Sequence, residues 1–469
     1  MVRLAIAAAA SAAFVTGAAG VSGASAARPD VFGTTVTVNT SGKIVGGINS
    51  HYVGLSFESG GLSSGKFDNV GDLARLLKNL GSSVMRFGGN SVDRATFTGA
   101  TASALAGLAR LAAAAGWTVL YSENLGTFGP GTASAVTADA RNVSAALGGH
   151  LSAIACGNEP DLYHHNGIRP ASYTQGDYLK EAASCLAAIR AGAPGVALAG
   201  PDTAGAAWLP GYAAREAGKV GWLDQHYYPM GCGLQGKTPA QFAARLLSPG
   251  LRATEAAFFD GAARAAKTAG AKLRMSETNT ACGGGAPGAS DSYASALWVV
   301  DYLLTGAEHG VYGMNFHGGL GTGCTGYTPL CQVGASEYAA QPIYYGMLFT
   351  RLLGSGHLLP VTVSATSSAG NVVAFALRPL TGGGLRLIVE NLSKYHTNAV
   401  LRVGGHPSSA TVLHLTAPSL LATSGVRIQG AAIAPDGRFT AGKPDTVHCA
   451  SGSCPVTIGP YTAVLVTVG

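Results

Sequence analysis

Apolar strand-like segments and alanine-rich helical segments alternate along the chain between residues 49 and 355. Each strand-like segment is a short, mostly apolar run, which is typical of strands buried on both faces of a parallel sheet. The predicted strands cover residues 52–58, 83–88, 118–122, 151–155, 196–201, 222–228, 273–277 and 311–316. The predicted helices cover residues 68–80, 103–115, 133–147, 173–191, 208–217, a longer stretch ending at 269, 293–305 and 344–353. Eight such alternations predict a (β/α)₈ TIM barrel at 49–355.

The pattern changes at the carboxyl-terminal end of this region. Short strands are predicted at 371–377, 385–390, 410–415 and 461–467, between turns rich in Gly, Pro and Ser. This spacing is typical of a β-sandwich, which we place at 356–469. Residues 34–39 alternate and are rich in β-branched side chains, so the segment 28–48 is predicted to add an N-terminal strand to that sandwich.

The first 27 residues have the features of a secretory signal peptide. Arg3 precedes a short apolar run, and Ala24-Ser25-Ala26 has the form of a cleavage motif. An anchoring helix is less favoured, because glycines interrupt the run and no long apolar span follows. We therefore expect a secreted, extracellular protein that does not bind membranes once the signal is removed.

Composition limits the class of protein. Hydrophobic residues make up 47% and charged residues 12%, with 68 glycines, which indicates a large buried core with many turns. The formal charge is +6, but no run of Lys or Arg occurs, so no nucleic acid partner is expected. With no Cys-x-x-Cys and no histidines at ligand spacing, neither a metal nor another cofactor is predicted.

Eight cysteines in an exported chain predict disulfides. Cys449 with Cys454 and Cys324 with Cys331 are close enough to close small loops. Cys185, on the helix after the fourth strand, can meet Cys156, which would leave Cys232 and Cys282. Sequence does not determine connectivity, so other pairings remain open.

Two acids stand at the carboxyl ends of predicted barrel strands. Glu159 follows a buried strand that Pro160 stops, because proline has no amide hydrogen to donate. Glu277 ends another short strand and precedes a glycine-rich loop. Barrel enzymes keep their chemistry at this end of the strands, and two such acids predict the general acid and the nucleophile of a glycosidase.

Several segments, in this order, resemble glycoside hydrolase family 79, the β-glucuronidases and heparanases, within the clan of retaining (β/α)₈-barrel glycosidases. The segments are Met85-Arg86-Phe87-Gly88-Gly89, Asn158-Glu159-Pro160, His226-Tyr227-Tyr228 and Glu277-Thr-Asn-Thr-Ala-Cys-Gly-Gly-Gly-Ala-Pro287. The resemblance implies that Glu159 is the acid/base and Glu277 the nucleophile.

Further roles are assigned to neighbouring residues. Arg86, at the end of the second strand, is the natural cation beside Glu277, and Asn158 can bond the sugar 2-hydroxyl. The family pattern favours Tyr227 as the donor to Glu277, although alternation alone does not choose between Tyr227 and Tyr228. His164, His165 and His317 are predicted to be rim or packing residues.

A uronic acid needs groups that hold its carboxylate. Gly283 and Gly284 offer backbone amides that can approach an anion closely. By resemblance, these glycines and a tyrosine, best matched by Tyr327, bind the glucuronate carboxylate. Glu58 and Asn90 match positions that contact sugar hydroxyls.

The sequence therefore predicts a secreted, monomeric, retaining exo-β-glucuronidase that acts on glycosides or oligosaccharides containing glucuronic acid. Alternatives are an endo-acting heparanase-like hydrolase, a barrel glycosidase for a neutral or 4-O-methylated sugar, and a non-catalytic carbohydrate-binding barrel. The basic clusters expected along a long polyanion cleft are not evident, which favours exo action.

Overall fold

The computed structural model describes residues 31–129, 131–368 and 370–469. The predicted signal peptide, residues 1–27, lies outside the described residues. Strands β1 (Val31–Val38) and β2 (Gly46–Ile48) come first and lead into the barrel.

The barrel consists of parallel strands whose order in space follows their order in the chain. These strands are β3 (Val53–Glu58), β4 (Val84–Gly88), β5 (Thr118–Glu123), β6 (Leu151–Cys156), β7 (Ala197–Thr203), β8 (Trp222–Tyr227), β9 (Lys272–Thr278) and β10 (Gly313–His317). Each strand pairs with the next one, and β10 pairs with β3 to close the ring. The predicted (β/α)₈ barrel is confirmed.

Helices follow the barrel strands. They are α1 (Asp72–Asn79), α2 (Ala102–Ala115), α3 (Ala133–Leu147), α4 (Gln175–Gly192), α5 (Leu209–Arg215), α6 (Pro239–Leu246), α7 (Pro249–Ala269), α8 (Tyr293–Glu308) and α9 (Pro342–Leu353). Local sequence explains several of their ends. Thr174 caps α4 in a capping box with Asp177, and Gly116 ends α2 in the left-handed conformation.

The long helical stretch predicted after β8 is two helices, α6 and α7. Pro249 has no amide hydrogen to continue α6, and the residue before a proline avoids the helical conformation. Ser248 instead caps α7, because its hydroxyl accepts a hydrogen bond from the Leu251 amide.

The remaining strands form a hairpin and two sheets. The hairpin, β11 (Leu330–Gln332) and β12 (Tyr338–Ala340), lies in the loop after β10. The later strands are β13 (Gly356–Leu359), β14 (Val361–Ala365), β15 (Val372–Pro379), β16 (Leu385–Asn391), β17 (His396–Arg402), β18 (Ser409–Thr416), β19 (Arg427–Ile428), β20 (Asp445–His448), β21 (Ser453–Ile458) and β22 (Thr462–Val468). One sheet has the order β14-β1-β17-β21, and the other runs β19-β18-β22-β16-β15-β13-β2 with β20 beside β18.

The two sheets enclose an apolar layer, as a β-sandwich does. Val36 of β1 packs there with Leu401 of β17 and with Val389 and Val466 of the facing sheet. The predicted N-terminal strand therefore completes the sandwich, since β1 pairs with β14 and β17.

The opposite face of the larger sheet packs on the barrel. Phe375 and Ile388 are buried in the same cluster as residues of α8 and α9. Tyr293, at the start of α8, donates its hydroxyl to the carbonyl of Leu415 in β18 at 2.6 Å. The sandwich is thereby attached to the side of the barrel by both apolar and polar contacts.

Four disulfides join the cysteines in the pairs that the sequence suggests: Cys156–Cys185, Cys232–Cys282, Cys324–Cys331 and Cys449–Cys454. The second of these connects the loops after β8 and β9, next to the glycine-rich segment. Within the described ranges, no helix combines the length and the apolar character needed to cross a bilayer.

Candidate active site

Glu159 and Glu277 meet at the carboxyl-terminal mouth of the barrel. Glu159 follows β6 and Glu277 lies in β9. One carboxylate oxygen of each lies within 4.8 Å of the other. Their side chains are 13% and 8% exposed, so both reach a solvent-accessible opening from a largely buried position.

The backbone at Glu159 turns sharply. Its φ of 51° is left-handed, a conformation that costs a non-glycine residue about 1–2 kcal/mol. The Glu159 amide donates to the carbonyl of Asp202 at 2.7 Å, and Pro160 begins a short 3₁₀ turn. These contacts hold the strained turn and determine the direction of the Glu159 side chain.

Each oxygen of the Glu277 carboxylate accepts a hydrogen bond. The Tyr228 hydroxyl donates to Oε1 at 2.8 Å, and Nη1 of Arg86 donates to Oε2 at 2.6 Å. Burial alone would raise the pKa of Glu277. The nearby rings of His317 and His226, the Arg86 guanidinium and the Tyr228 hydrogen bond instead hold that pKa well below its usual range. Glu277 is thus kept ionised, as a nucleophile must be.

Arg86 is completely buried at the centre of the site. Besides Glu277, its guanidinium donates to Asn158 Oδ1 at 2.8 Å and lies 3.5 Å from Asp202 Oδ2. Burial would lower the pKa of Arg86, but the negative charges of Asp202 and Glu277 raise it above its usual value. Arg86 is therefore a permanent cation that connects Glu277 to Asn158, the residue before Glu159.

His226 connects the acid to Asp202. Its Nδ1 lies 3.1 Å from Glu159 Oε1, and its Nε2 lies 3.1 Å from Asp202 Oδ1. Burial would lower the pKa of His226, but Glu277 and these two carboxylates raise it to about 10. The ring is then cationic, and both of its nitrogens donate hydrogen bonds.

Asp202 is a residue that the sequence analysis did not single out. It directly follows the predicted fifth strand, where Gly200-Pro201 is a cis peptide bond, and it accepts a hydrogen bond from Ser276. The sequence did offer one signal for Asp202, since it is an acidic residue at the end of a predicted barrel strand. Its proximity to His226 and Arg86 follows only from closure of the barrel.

His317 was predicted to be a rim or packing residue, and the structure places it, buried, beside Glu277. Its Nδ1 lies 3.0 Å from the Ser56 hydroxyl and 3.7 Å from Oε2 of Glu277. Its Nε2 lies 3.8 Å from Glu58 Oε1. His317 ends β10, so its imidazole lies beside the Glu277 carboxylate.

The structure corrects the tyrosine assignment: Tyr228, and not Tyr227, bonds Glu277. Side chains alternate between the two faces of a strand, and Tyr228 has the same parity as the inward-facing His226. The Tyr227 ring points the other way and stacks on Phe258 of α7, with 3.9 Å between ring centroids. Tyr227 is therefore a packing residue outside the barrel.

The predicted hydroxyl-binding residues lie at the same opening. Asn158 is 4% exposed and accepts its bond from Arg86. Glu58, with its side chain 41% exposed, accepts bonds from the amides of Asn90 and Ser91 at 3.2 and 2.8 Å and from the Ser91 hydroxyl at 2.5 Å. Glu58 thereby ties the loops after β3 and β4 together, and Asn90 is exposed beside it.

Gly283 and Gly284 present exposed backbone near Tyr327. Their φ values are 68° and 88°, and an added Cβ at either position would meet open space. Within the part of the chain that the structure describes, neither amide donates a hydrogen bond. The Tyr327 amide donates to the Gly284 carbonyl at 3.2 Å, and the Tyr327 ring centroid lies 6.2 Å from that of Tyr228. Two unpaired donors therefore lie in the segment that contacts Tyr327, whose ring is next to that of Tyr228.

Glu159, His226 and Glu277 also offer one ligand atom each within 4.8 Å of one another. This set does not fit a metal well. Both nitrogens of His226 are already within 3.1 Å of carboxylate oxygens, and Arg86 already supplies positive charge 2.6 Å from Glu277. The arrangement suits proton transfer and nucleophilic attack.

No protein-family model matches this chain, and no curated protein matches its sequence. Solved structures do match its fold. A 4-O-α-L-rhamnosyl-β-D-glucuronidase from Fusarium oxysporum superimposes with a TM-score of 0.76 at 19% identity, over 92% of this chain and 100% of that one.

Other similar structures are also glycoside hydrolases. AbfB, a family 51 α-L-arabinofuranosidase from Bifidobacterium longum, has a TM-score of 0.69 at 14% identity, over 94% of this chain and 100% of that one. CelM2, a bifunctional glucanase-xylanase from a metagenome library, has a TM-score of 0.66 at 15% identity, over 93% of this chain and 99% of that one. This chain therefore shares the fold of (β/α)₈-barrel glycoside hydrolases.

Proposed function

We propose that this chain is a retaining exo-β-glucuronidase, which releases terminal β-D-glucuronic acid with two glutamates. The observation that carries the proposal is the pairing of Glu159 and Glu277, with one oxygen of each within 4.8 Å. Retaining enzymes have their two carboxyl groups about 5–5.5 Å apart, whereas inverting enzymes need about 6.5–9.5 Å to admit a water.

In the first step, Glu277 attacks the anomeric carbon and Glu159 donates a proton to the leaving oxygen. The glycosidic carbon–oxygen bond breaks with its electron pair on that oxygen, and an ester forms between the sugar and Glu277. In the second step, Glu159 takes a proton from a water that attacks the anomeric carbon. The ester breaks, and the product keeps the original configuration.

The charged neighbours suit both steps. Arg86 and Tyr228 hold Glu277 as a carboxylate before attack. Esterification removes that negative charge, while the cationic His226 remains 3.1 Å from Glu159. The His226 ring keeps a hydrogen-bonding atom at Glu159 while that carboxyl group exchanges a proton with the leaving oxygen and then with water.

Substrate choice is assigned to the glycine loop, the segment after β9 that contains Gly283 and Gly284. We infer that the free amides of Gly283 and Gly284 bind the C6 carboxylate, with the Tyr327 hydroxyl as a further donor. A hydrogen bond to a charged acceptor contributes about 1.5–3 kcal/mol, so two or three exclude a neutral hexose by about a hundredfold or more. A neutral sugar would also leave these donors unpaired. The remaining contacts, from Asn158, Glu58 and Asn90, are assigned to sugar hydroxyls.

A set of aryl glycosides tests this proposal. The 4-nitrophenyl β-D-glucuronide should be cleaved far faster than the 4-O-methylglucuronide, the glucoside and the galactoside, and Glu277→Gln should be inactive. NMR of the first product should show the β-anomer. Faster cleavage of a neutral or 4-O-methylated glycoside would indicate a barrel glycosidase for that sugar. Release of internal fragments from a glucuronic acid oligosaccharide would indicate an endo-acting enzyme. Binding without turnover would indicate a non-catalytic barrel.

We also propose that the protein is exported and monomeric. Four disulfides suit an oxidising compartment. Mass spectrometry of protein secreted by its host should show a new amino terminus near residue 28 and no free thiol. Light scattering should give the mass of one chain.

A further inference from the structure

We propose that Asp93 is a positioning residue for the general acid, an assignment that rests on the proposed glycosidase function. Asp93 lies in the loop after β4 and is 4% exposed. It acts on Glu159 through the backbone of Asn158 and through Tyr163, and has no assigned contact with substrate.

The Asp93 carboxylate accepts four hydrogen bonds. The amides of Leu125 and Gly126 donate to Oδ1, each at 2.9 Å. The Asn158 amide and the Tyr163 hydroxyl donate to Oδ2, each at 2.8 Å. One buried side chain therefore joins the loops after β4, β5 and β6.

The Asn158 contact bears directly on the acid. Asn158 immediately precedes Glu159, whose own amide is held by the Asp202 carbonyl at 2.7 Å. Two successive amides, on either side of the Asn158 Cα, are thus bonded to separate loops immediately before the left-handed residue Glu159. A peptide held at both ends gives the Glu159 side chain one direction.

The local sequence fits this arrangement. Gly157 has a φ of 83°, and a Cβ there would lie 2.6 Å from the Tyr163 hydroxyl. Any other residue at this position would push Tyr163 away from Asp93. Glycine is therefore required both for the turn and for the close approach of the hydroxyl.

A second group supports the same loops from outside. Arg169 donates to the carbonyls of Gly126 and Leu125 at 2.6 and 2.9 Å, and its guanidinium lies 5.7 Å from the centroid of the Tyr163 ring. Leu125 and Gly126, whose amides donate to Asp93 Oδ1, thus have their carbonyls bonded as well. The loop after β5 is a rigid support for Asp93.

Asp93→Asn is the first test, because it keeps the shape but places an amide NH₂ against N–H donors. A displaced acid matters most for poor leaving groups, which need full protonation. The kcat/KM for phenyl glucuronide should fall about a hundredfold, as small displacements of catalytic groups can cause. The kcat/KM for 2,4-dinitrophenyl glucuronide should fall less than about fivefold, because that leaving group needs little protonation.

Tyr163→Phe removes the hydroxyl that donates to Asp93 Oδ2, and it is the alternative test if Asp93→Asn does not fold. Like Asp93→Asn, it should lower kcat/KM more on the phenyl glucuronide, by about threefold to tenfold, than on the 2,4-dinitrophenyl glucuronide.

The matched control is Asp72→Asn. Asp72 is also buried and also accepts hydrogen bonds from backbone amides, those of Leu73 and Tyr338, but it is the first residue of α1 and does not contact the Glu159 segment. In Asp72→Asn, the ratio of kcat/KM on the phenyl glucuronide to kcat/KM on the 2,4-dinitrophenyl glucuronide should equal that of the wild type.

Hydrogen exchange separates this inference from the proposed function. In Asp93→Asn, the segments around 125–126 and 157–163 should lose protection, while the rest of the barrel keeps it. If the wild type cleaves no glycoside but these segments lose protection, the proposed function fails and the positional role of Asp93 stands. Unchanged exchange in those segments, or equal loss of kcat/KM on both substrates, would overturn the inference.

Discussion

Arg86 of β4 and Glu277 of β9 form a buried ion pair across the barrel, with Nη1 of the arginine 2.6 Å from Oε2 of the glutamate. The two residues are 191 positions apart in the chain. Burying one charge without the other is strongly unfavourable, so each side chain makes the other tolerable in the barrel interior. The pair helps to keep Glu277 ionised.

The two acids should respond differently to truncation. Glu277→Ala should abolish turnover of every glycoside. Glu159→Ala should retain kcat/KM on 2,4-dinitrophenyl glucuronide to within about tenfold, and azide should raise its turnover, because the anion replaces the base-assisted water. Steady-state kinetics with and without azide, and identification of glucuronyl azide, check this. The azide from the Glu159 variant should be the β-anomer, because it forms by two inversions; a β-azide from the Glu277 variant and an α-azide from the Glu159 variant would mean that the two roles are reversed.

Tyr227 and Tyr228 allow a matched pair of variants, because the same substitution can be made at adjacent positions with different contacts. Tyr228→Phe removes the donor to Oε1 of Glu277 and should lower kcat/KM by about tenfold to a hundredfold, as loss of a charge-assisted hydrogen bond predicts. Tyr227→Phe keeps the ring stacked on Phe258 and should leave kcat/KM within about twofold. A larger loss in Tyr227→Phe than in Tyr228→Phe would contradict the assignment.

The glycine loop is tested by comparing substrates. Gly284→Ala has open space for its methyl group but forces alanine to a φ of 88°, a strain of about 1–2 kcal/mol that moves the amide. This variant and Tyr327→Phe should lower kcat/KM for an aryl glucuronide and leave a residual aryl glucoside activity nearly unchanged. Gly116→Ala, at a φ of 71° where α2 ends, is the control for strain alone. Parallel losses on both substrates would show that the loop shapes the opening without contacting the carboxylate.

His226 makes stability depend on pH. Its pKa is about 10 in the folded chain against 6.5 ordinarily, because Glu277, Asp202 and Glu159 outweigh the effect of burial. A raised folded pKa stabilises the protein fully below pH 6.5, and this contribution is lost as the pH rises towards 10. The free energy of unfolding in urea should therefore fall between pH 7 and 10 more steeply in the wild type than in His226→Gln.

The control for this experiment is His309→Gln. His309 pairs with Asp260 at 2.8 Å on the surface, where an ion pair contributes little. That variant should keep the slope of the wild type. Equal slopes in the wild type and His226→Gln would show that His226 is neutral in the folded protein.

Much of the fold and the two principal acids follow from local pattern. Short apolar strands, alanine-rich helices and the stop at Pro160 involve neighbouring residues, so they are readable along the chain. Because parallel strands of a closed barrel all end at one face, predicting the strand ends of Glu159 and Glu277 is enough to predict that they meet.

Strand parity was harder to predict. Tyr227 is the last residue of β8, and Tyr228 follows it. Alternation places the two side chains on opposite faces, and only the pairing of β8 within the closed barrel determines which face is the inner one. The resemblance favoured Tyr227, and only the tertiary structure identified Tyr228.

The supporting network was decided by the tertiary structure. Asp93 contacts amides 32 to 65 positions away, and His226 lies between Asp202 and Glu159, which are 24 and 67 positions from it. Nothing near these residues in sequence reveals such partners, because closure of the barrel brings the loops together. The sequence by itself therefore determined which strands carry the two acids. The packing of the loops decided which side chains orient and charge them, since a buried carboxylate or imidazole is defined by its partners.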